Sequence, residues 1–329
     1  GLTGGQSDGG EHARGALEAG AWGVVVTPER AAELAGSEPD QANAFIFASV
    51  DPLLSLQMLA RAWRRELDAT VIGITGSVGK TSVKDITRAL LPGAVHASAE
   101  NFNTEIGLPL TILEAPAGTE TLVLEMAMRG EGQIAELAVI AEPDIGVITN
   151  VGPVHVELLG SIEAVAAAKA ELITNMKPDG VMIVPFEAGY LDPHLENVPG
   201  LVRFGGEGDV RVVELSVENG ATRARIETLQ GSQAFEFPFA EPHNLTNSLA
   251  AIGAGVAAGF TPAELAARAD GIAFSRFRNE HIDLGARGLI WAPLCADVLA
   301  SQLEGEPNPV ESSLIHAMRP ARDVTAPPR

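Results

Sequence analysis

Residues 73 to 82 read GITGSVGKTS, a glycine-punctuated turn that follows the apolar approach TVIG and closes on Gly79-Lys80-Thr81. The backbone N–H groups of a tight turn and of a helix N-terminus attract anions whatever side chains surround them, so this stretch suits phosphate. In that reading Thr75, Gly76, Ser77, Gly79, Lys80, Thr81 and Ser82 form the cradle. Lys80 is then the point charge on the β- and γ-phosphates of ATP, and the Thr81 hydroxyl a ligand of the accompanying Mg²⁺. The strict pattern G-x-x-x-x-G-K-[ST] asks for glycine at position 74, where this chain has Ile74. Gly76 and Gly79 still permit the turn, and the competing reading is a plain strand-turn-helix corner.

Further groups fall where an α/β nucleotide site needs them, because ligands gather at the carboxyl ends of parallel strands. TLVLEMA carries Glu125 at the end of an apolar strand. A carboxylate there is costly unless it meets a cation, which makes Glu125 a Mg²⁺ ligand or else the partner of a buried donor. DIGVITN ends in Asn150, and the loop VGPVHVELLGS brings His155, a metal ligand or a hydrogen-bonded structural histidine. Lys169 sits in the alanine-rich EAVAAAKAEL. On a polar face it is simply solvated, whereas facing a site its pKa falls and its amine can react. In NFNTEIGLPL, Asn101, Asn103, Thr104 and Glu105 either cap the following helix or contact substrate. HNLTNSLAA offers His243, Asn244 and Asn247 at a helix start, the asparagines as caps or, facing the phosphate loop, as readers of a purine edge.

The elements that must hold these groups follow from the hydrophobic pattern. Residues 1–68 read as a small α/β unit: GALEAGAWGVVVTPE is a helix running into a short buried strand, and AFIFASV is a second strand. DPLLSLQMLARAWRREL is an amphipathic helix that starts at Asp51 and Pro52. From residue 69 strands and helices alternate: TVIGIT, the helix from Lys80, TLVLEMA, a helix near 131–140, DIGVITNV, a helix near 161–176, then GVMIVPF. Such alternation predicts a parallel sheet covered on both faces. Between about 201 and 240, period-two alternation and Asn219-Gly220 predict antiparallel hairpins. Two helices follow, in HNLTNSLAAIGAGVAAG and TPAELAARADGI. The expected fold class is therefore α/β. A phosphate-loop central domain, 69–290, combines a mostly parallel sheet with a small antiparallel one and is preceded by a truncated small α/β domain, 1–68. Residues 291–329 break the style, with Pro293, Pro307, Pro309, Pro320, Pro327 and Pro328 and no period, text that does not easily build a packed domain.

Composition narrows the partners. At 329 residues and 46% hydrophobic content the chain is long enough for two ordinary globular domains. Forty-three acidic against 22 basic residues give a formal charge of −21, which argues against nucleic acid and anionic membrane as partners. The one cysteine, Cys295, excludes an intramolecular disulfide framework and fits a reducing, cytoplasmic compartment, although an acidic, cysteine-poor protein outside the cell reads the same. No apolar run of about 18 residues and no basic-then-apolar leader is visible. The chain begins GLTGGQSDGG without an initiator methionine and reads as a fragment.

In this order, GITGSVGKTSVKD, NFNTEIGLPLTIL, LVLEMAMRGEGQIAEL, PDIGVITNVGPVHVELLGS…AAAKAEL and HNLTNSLAA resemble a Mur ligase over residues 69 to about 290. NFNTEIGLPL and EMAMRGEGQIAEL look like the versions of the MurF branch, which adds D-alanyl-D-alanine to UDP-N-acetylmuramoyl-tripeptide. Ile74 fits as well, since these ligases typically use T-G-x-x-G-K-T. The resemblance implies a three-domain enzyme: an N-terminal domain for the UDP-sugar substrate, a central ATPase domain and a C-terminal Rossmann-like domain that brings the amine. A monomer is expected. By the resemblance, Lys80 and Thr81 match the phosphate and Mg²⁺ positions, and Glu125 and His155 the metal ligands. Lys169 matches a lysine carbamylated in several members, where the carbamate is a carboxylate-like Mg²⁺ ligand. Asn247 matches an asparagine near the adenine. Arg278, in FSRFRNEHIDLG, resembles the arginine of a GR.E stretch, although Phe277 stands where glycine is common. The chemistry implied passes the γ-phosphoryl of ATP to the tripeptide carboxylate. The D-alanyl-D-alanine amine then attacks the acyl phosphate through a tetrahedral intermediate, with Lys80 and two Mg²⁺ neutralising charge.

Both ends depart from the family pattern. Leu2, Gly4, Asp8 and Gly9 resemble an L-x-G-x-x-x-DG stretch that normally lies some tens of residues into the first domain. After GLI the family continues with a D-x-YNANP segment and a whole C-terminal domain, whereas Trp291 onward matches none of it. The expectation is a coding frame lost near residue 290 and a chain that binds Mg·ATP but ligates nothing. The alternatives are another Mur-type amide ligase, of the cyanophycin-synthetase kind, and a P-loop ATP-binding module with no ligase role.

Overall fold

The computed structural model describes residues 1–2, 8–36, 44–99, 102–154 and 156–275, all within one compact unit, Gly1–Arg276. Asn101, His155, Arg278, Cys295 and the segment 291–329 lie outside the described residues.

The N-terminal part comprises α1 (Ala13–Glu18), β1 (Gly23–Val26), α2 (Pro28–Ala35), β2 (Phe45–Ala48) and α3 (Pro52–Leu67). Strands β1 and β2 pair in parallel. The strand expected to be buried, β1, is only half-buried apart from Val26, and β2 is largely exposed. Two strands offer too little sheet to be covered on both faces. Trp22, Phe45 and Phe47 therefore pack on one another, with ring centroids 4.9–6.1 Å apart. Helix α3 starts as its sequence dictates: Pro52 is at the first position, and the Asp51 carboxylate accepts from Leu54 N at 2.9 Å.

The central sheet is built from β3 (Thr70–Thr75), β4 (Val95–Ala97), β5 (Thr121–Glu125), β6 (Ile145–Ile148), β7 (Val181–Pro185) and β8 (Gly200–Phe204). Its order is β4-β5-β3-β6-β7-β8, with every pair parallel. The connecting helices are α4 (Lys80–Leu90), α5 (Gly107–Glu114), α6 (Gln133–Ala141), α7 (Val156–Leu159) and α8 (Ile162–Asn175). Alternate residues of β3 serve opposite cores: Ile72 and Ile74 join one hydrophobic cluster, Val71 the other. This double burial explains the near-continuous apolar text of the parallel strands.

Beyond β8 come β9 (Arg211–Glu218), β10 (Ala221–Thr228) and β11 (Gly231–Phe237), an antiparallel sheet of order β11-β10-β9. Asn219 and Gly220 both have positive φ, 52° and 79°, as a tight hairpin turn demands. The antiparallel region starts later than its sequence suggests, because residues 200–204 form the last strand of the parallel sheet. Helices α9 (Pro242–Ala257) and α10 (Pro262–Ala266) close the chain against the sheets. Among the described residues no helix is long and apolar enough to cross a membrane.

Candidate functional site

Strand β3 is the switch point of the sheet. The chain leaves it for β4 and β5 on one side and continues through β6 on the other. Ile74 is level with Glu125 of β5, and Thr75 with Ile148 of β6. The glycine loop after β3, the end of β5 and the loop after β6 therefore emerge side by side at the carboxyl edge, where open α/β sheets bind ligands.

Two glycines of the loop are obligatory. Gly76 has φ 149°, and a Cβ there would collide with Thr149 Oγ1. Gly79 has φ 85°, and a Cβ there would lie 2.8 Å from Asn247 Oδ1. Position 74 has no such need, because Ile74 is still inside β3 and wholly buried in the core. The loop is clamped from β6. Asn150 Oδ1 accepts from Ser77 N at 3.2 Å and Val78 N at 3.0 Å, and Asn150 Nδ2 donates to Val78 O at 3.2 Å. Thr149 Oγ1 donates to Val78 O at 2.6 Å, and Ser77 Oγ exchanges bonds with Gly152 N (2.8 Å) and O (3.1 Å). Strand β6 stops at Ile148, so Thr149 and Asn150 belong to this loop and not to the strand. Position alone marks Asn150 in the sequence, whereas nothing there singles out Thr149 and Gly152. Their signal is weak: polar and glycine residues just past a buried strand.

Helix α4 begins at Lys80, directly after Gly79, and half-buried Thr81 and Ser82 complete its first turn beside the loop. Lys80 folds back so that its Nζ donates to Gly76 O at 2.9 Å and Ser77 O at 3.4 Å. Lys169, on α8, is 1% exposed. Burial, and secondarily the charge of Lys80, lower its pKa from 10.5 to about 7. The solvated-lysine reading is thereby excluded. An amine neutral near pH 7 is a competent nucleophile or base.

Glu125 is 3% exposed. Its Oε1 accepts from Asn103 Nδ2 at 2.9 Å, while its Oε2 is buried without a hydrogen-bond partner, as is the Thr75 hydroxyl. An orphaned carboxylate oxygen is costly and is relieved by a cation. A single carboxylate suits Mg²⁺, which keeps several waters and takes only one or two carboxylates from the protein. Among the described residues no group of three or more His, Cys, Asp or Glu is assembled.

The remaining predicted residues divide. Asn103 serves Glu125 rather than a helix cap. Thr104 is exposed, and its Oγ1 accepts from Gly107 N at 3.3 Å in the turn before the helix, whose N-cap is Ile106. Asn244 and Asn247 are not caps, because α9 starts earlier, with Glu241 at its N-cap. Asn244 is buried within the helix, Asn247 turns its amide to Gly79, and His243 is exposed.

A family model described as "Mur ligase middle domain" matches residues 74–255, from β3 into α9 and more than half of the chain. The chain belongs to the Mur ligase family. Two relatives named UDP-N-acetylmuramoyl-tripeptide--D-alanyl-D-alanine ligase, from Bacillus subtilis (strain 168) and Synechocystis sp., are each 38% identical, over 246 and 256 residues. Those matches cover 74% and 76% of this Mur ligase chain and 53% of each relative, so it spans about half the length of the curated relatives it matches. The crystal structure of MurF ligase from Thermotoga maritima in complex with ADP superposes with a TM-score of 0.69 at 31% identity, covering 80% of this chain and 61% of that one. A mostly parallel sheet with a small antiparallel sheet attached is thus a Mur ligase architecture.

Proposed function

We propose that this chain is the nucleotide-handling part of a cytoplasmic, monomeric ligase that uses ATP to join D-alanyl-D-alanine to UDP-N-acetylmuramoyl-tripeptide in peptidoglycan precursor synthesis. The relatives' names give, for those proteins, ligation of UDP-N-acetylmuramoyl-tripeptide and D-alanyl-D-alanine. The observation that carries it to this chain is the presence, around one glycine loop, of an orphaned, buried Glu125 Oε2 and of a buried Lys169 whose pKa burial, and secondarily Lys80, lower to about 7. The loop amides from Gly79 to Ser82 bind the phosphates at the start of α4. Lys80 exchanges its carbonyl partners for phosphate oxygens. Thr81 and Glu125 would hold Mg²⁺, with His155 and a carbamylated Lys169 completing the set, and the ion supplies charge neutralisation during phosphoryl transfer. Asn103 fixes the Glu125 carboxylate. By the family resemblance Asn247 and Arg278 are assigned to the base of the nucleotide, and Asn101, Asn103 and Thr104 to the acyl substrate; the Asn247 amide beside Gly79 supports the first assignment.

In this reading residues 1–68 are part of the UDP-sugar domain and 69–290 the central domain that binds Mg·ATP. An ADP-release assay with the tripeptide and dipeptide substrates, on the protein extended to the length of its relatives, tests this. ADP release that depends on both substrates is expected. Turnover that ignores both substrates refutes the reading.

A further inference from the structure

The second turn of α4 buries two opposite charges that the proposed phosphate chemistry does not use. Lys84 is 2% exposed and Asp85 7%, and Lys84 Nζ lies 3.1 Å from Asp85 Oδ1. A buried pair of this kind is costly unless its remaining donors and acceptors are filled. Partners reach the pair from two directions. Lys84 Nζ donates to Ser98 O at 2.9 Å, and the hydroxyl of the same Ser98 accepts from Glu125 N at 3.1 Å. On the other side Asp85 accepts from Ser275 N at 2.7 Å and Ser275 Oγ at 2.9 Å. Ser275 ends a short stretch seated on the core by Ile272 and by Phe274, whose ring is 5.9 Å from that of Phe239. A continuous series of polar contacts thus runs Ser275, Asp85, Lys84, Ser98, Glu125. It joins the last described segment to the strand end with the orphaned carboxylate.

We propose that Asp85 is a positioning residue of the nucleotide site, latching residues 272–275 to the phosphate-loop helix so that docking of this segment and nucleotide binding depend on one another. The proposal rests on the reading of the site as a Mg·nucleotide site. Helix α4 carries Lys80, Thr81 and Ser82 at its start and Asp85 one turn later, so the two contacts share one rigid element. Both hydrogen-bond donors to Asp85 other than its ion-pair partner come from Ser275. If that residue lifts away, a buried carboxylate is left half-satisfied, and α4 must shift to rehydrate it. A nucleotide that fixes α4 and Glu125 opposes the shift, and by linkage the effect is reciprocal.

Calorimetric titration of the full chain with ADP and Mg²⁺, with hydrogen exchange followed at the Ser275 amide, tests this. ADP is expected to slow Ser275 exchange in the native chain. Asp85→Asn should weaken ADP binding by about fivefold or more and abolish the ADP effect on Ser275. Ser275→Ala, which loses only the hydroxyl donor, should shift both readouts in the same direction by less. If ADP binds the native chain and Ser275 exchange ignores it, the latch is overturned while the nucleotide site stands. No ADP binding by the native chain overturns the site reading and the latch with it. Should Asp85→Asn fail to fold, Ser275→Ala decides, and native affinity with a native exchange response overturns the latch.

Discussion

Lys169→Met removes the buried ammonium while keeping an unbranched side chain of similar length. Lys169 is 1% exposed on a helix whose other buried residues include Val165, Ala168, Ala170 and Leu172 of the core. Its pKa is about 7 in the folded chain against 10.5 for a free lysine, burial being the main cause and Lys80 the second. Because the folded value is lowered, the unfolded chain binds more protons between these two values, and stability rises with pH across that window. At about 1.4 kcal/mol per unit, burying the amine costs about 4 kcal/mol at pH 7 and about 2 kcal/mol at pH 9. The methionine variant is therefore expected to be more stable at pH 7 by about 2–4 kcal/mol, with the advantage shrinking by about 2 kcal/mol at pH 9. Urea unfolding followed by tryptophan fluorescence, in CO₂-free buffer so that no carbamate forms, measures both offsets. An offset equal at the two pH values, or a variant less stable at pH 7, refutes the reasoning.

How far the sequence reaches depends on whether the deciding contacts are local. Asp51-Pro52, Asn219-Gly220 and the glycines at 76 and 79 act through their own backbone, so their roles could be read directly. Strand β4 has only three residues and no readable period, and β8 resembles the hairpin text that follows it. Lys84 and Asp85, adjacent charges on a helix, look solvated until Ser98 and Ser275 arrive from 14 and 190 residues away. The clamp from Thr149, Asn150 and Gly152 is likewise a long-range contact between two loops. At Lys169 the residue alone favoured solvent. The family resemblance supplied a reason for a buried lysine, which the fold then places in the core.

Gly79→Ala forces an L side chain into φ 85° and against Asn247 Oδ1. A loss of about 1–2 kcal/mol in thermal or urea stability is expected, together with weakened nucleotide binding. Glu142 has its pKa lowered to about 2, first by hydrogen bonding to Arg65 and, against the cost of burial, by Arg61 as well. Its contribution is present above about pH 4.5 and lost as pH falls toward 2. Glu142→Gln should cost about 1–2 kcal/mol at pH 7, after allowance for the partly exposed arginines, and flatten the acid limb of a stability–pH curve measured by circular dichroism.

Isothermal titration of the full chain with ADP, with and without Mg²⁺, addresses the phosphate site most directly. One saturable site is expected, strengthened by Mg²⁺, lost in Lys80→Ala and deprived of its Mg²⁺ dependence in Glu125→Gln. Absence of binding, or binding that survives both substitutions unchanged, would contradict the assignment of Lys80 and Glu125 to a Mg·nucleotide site.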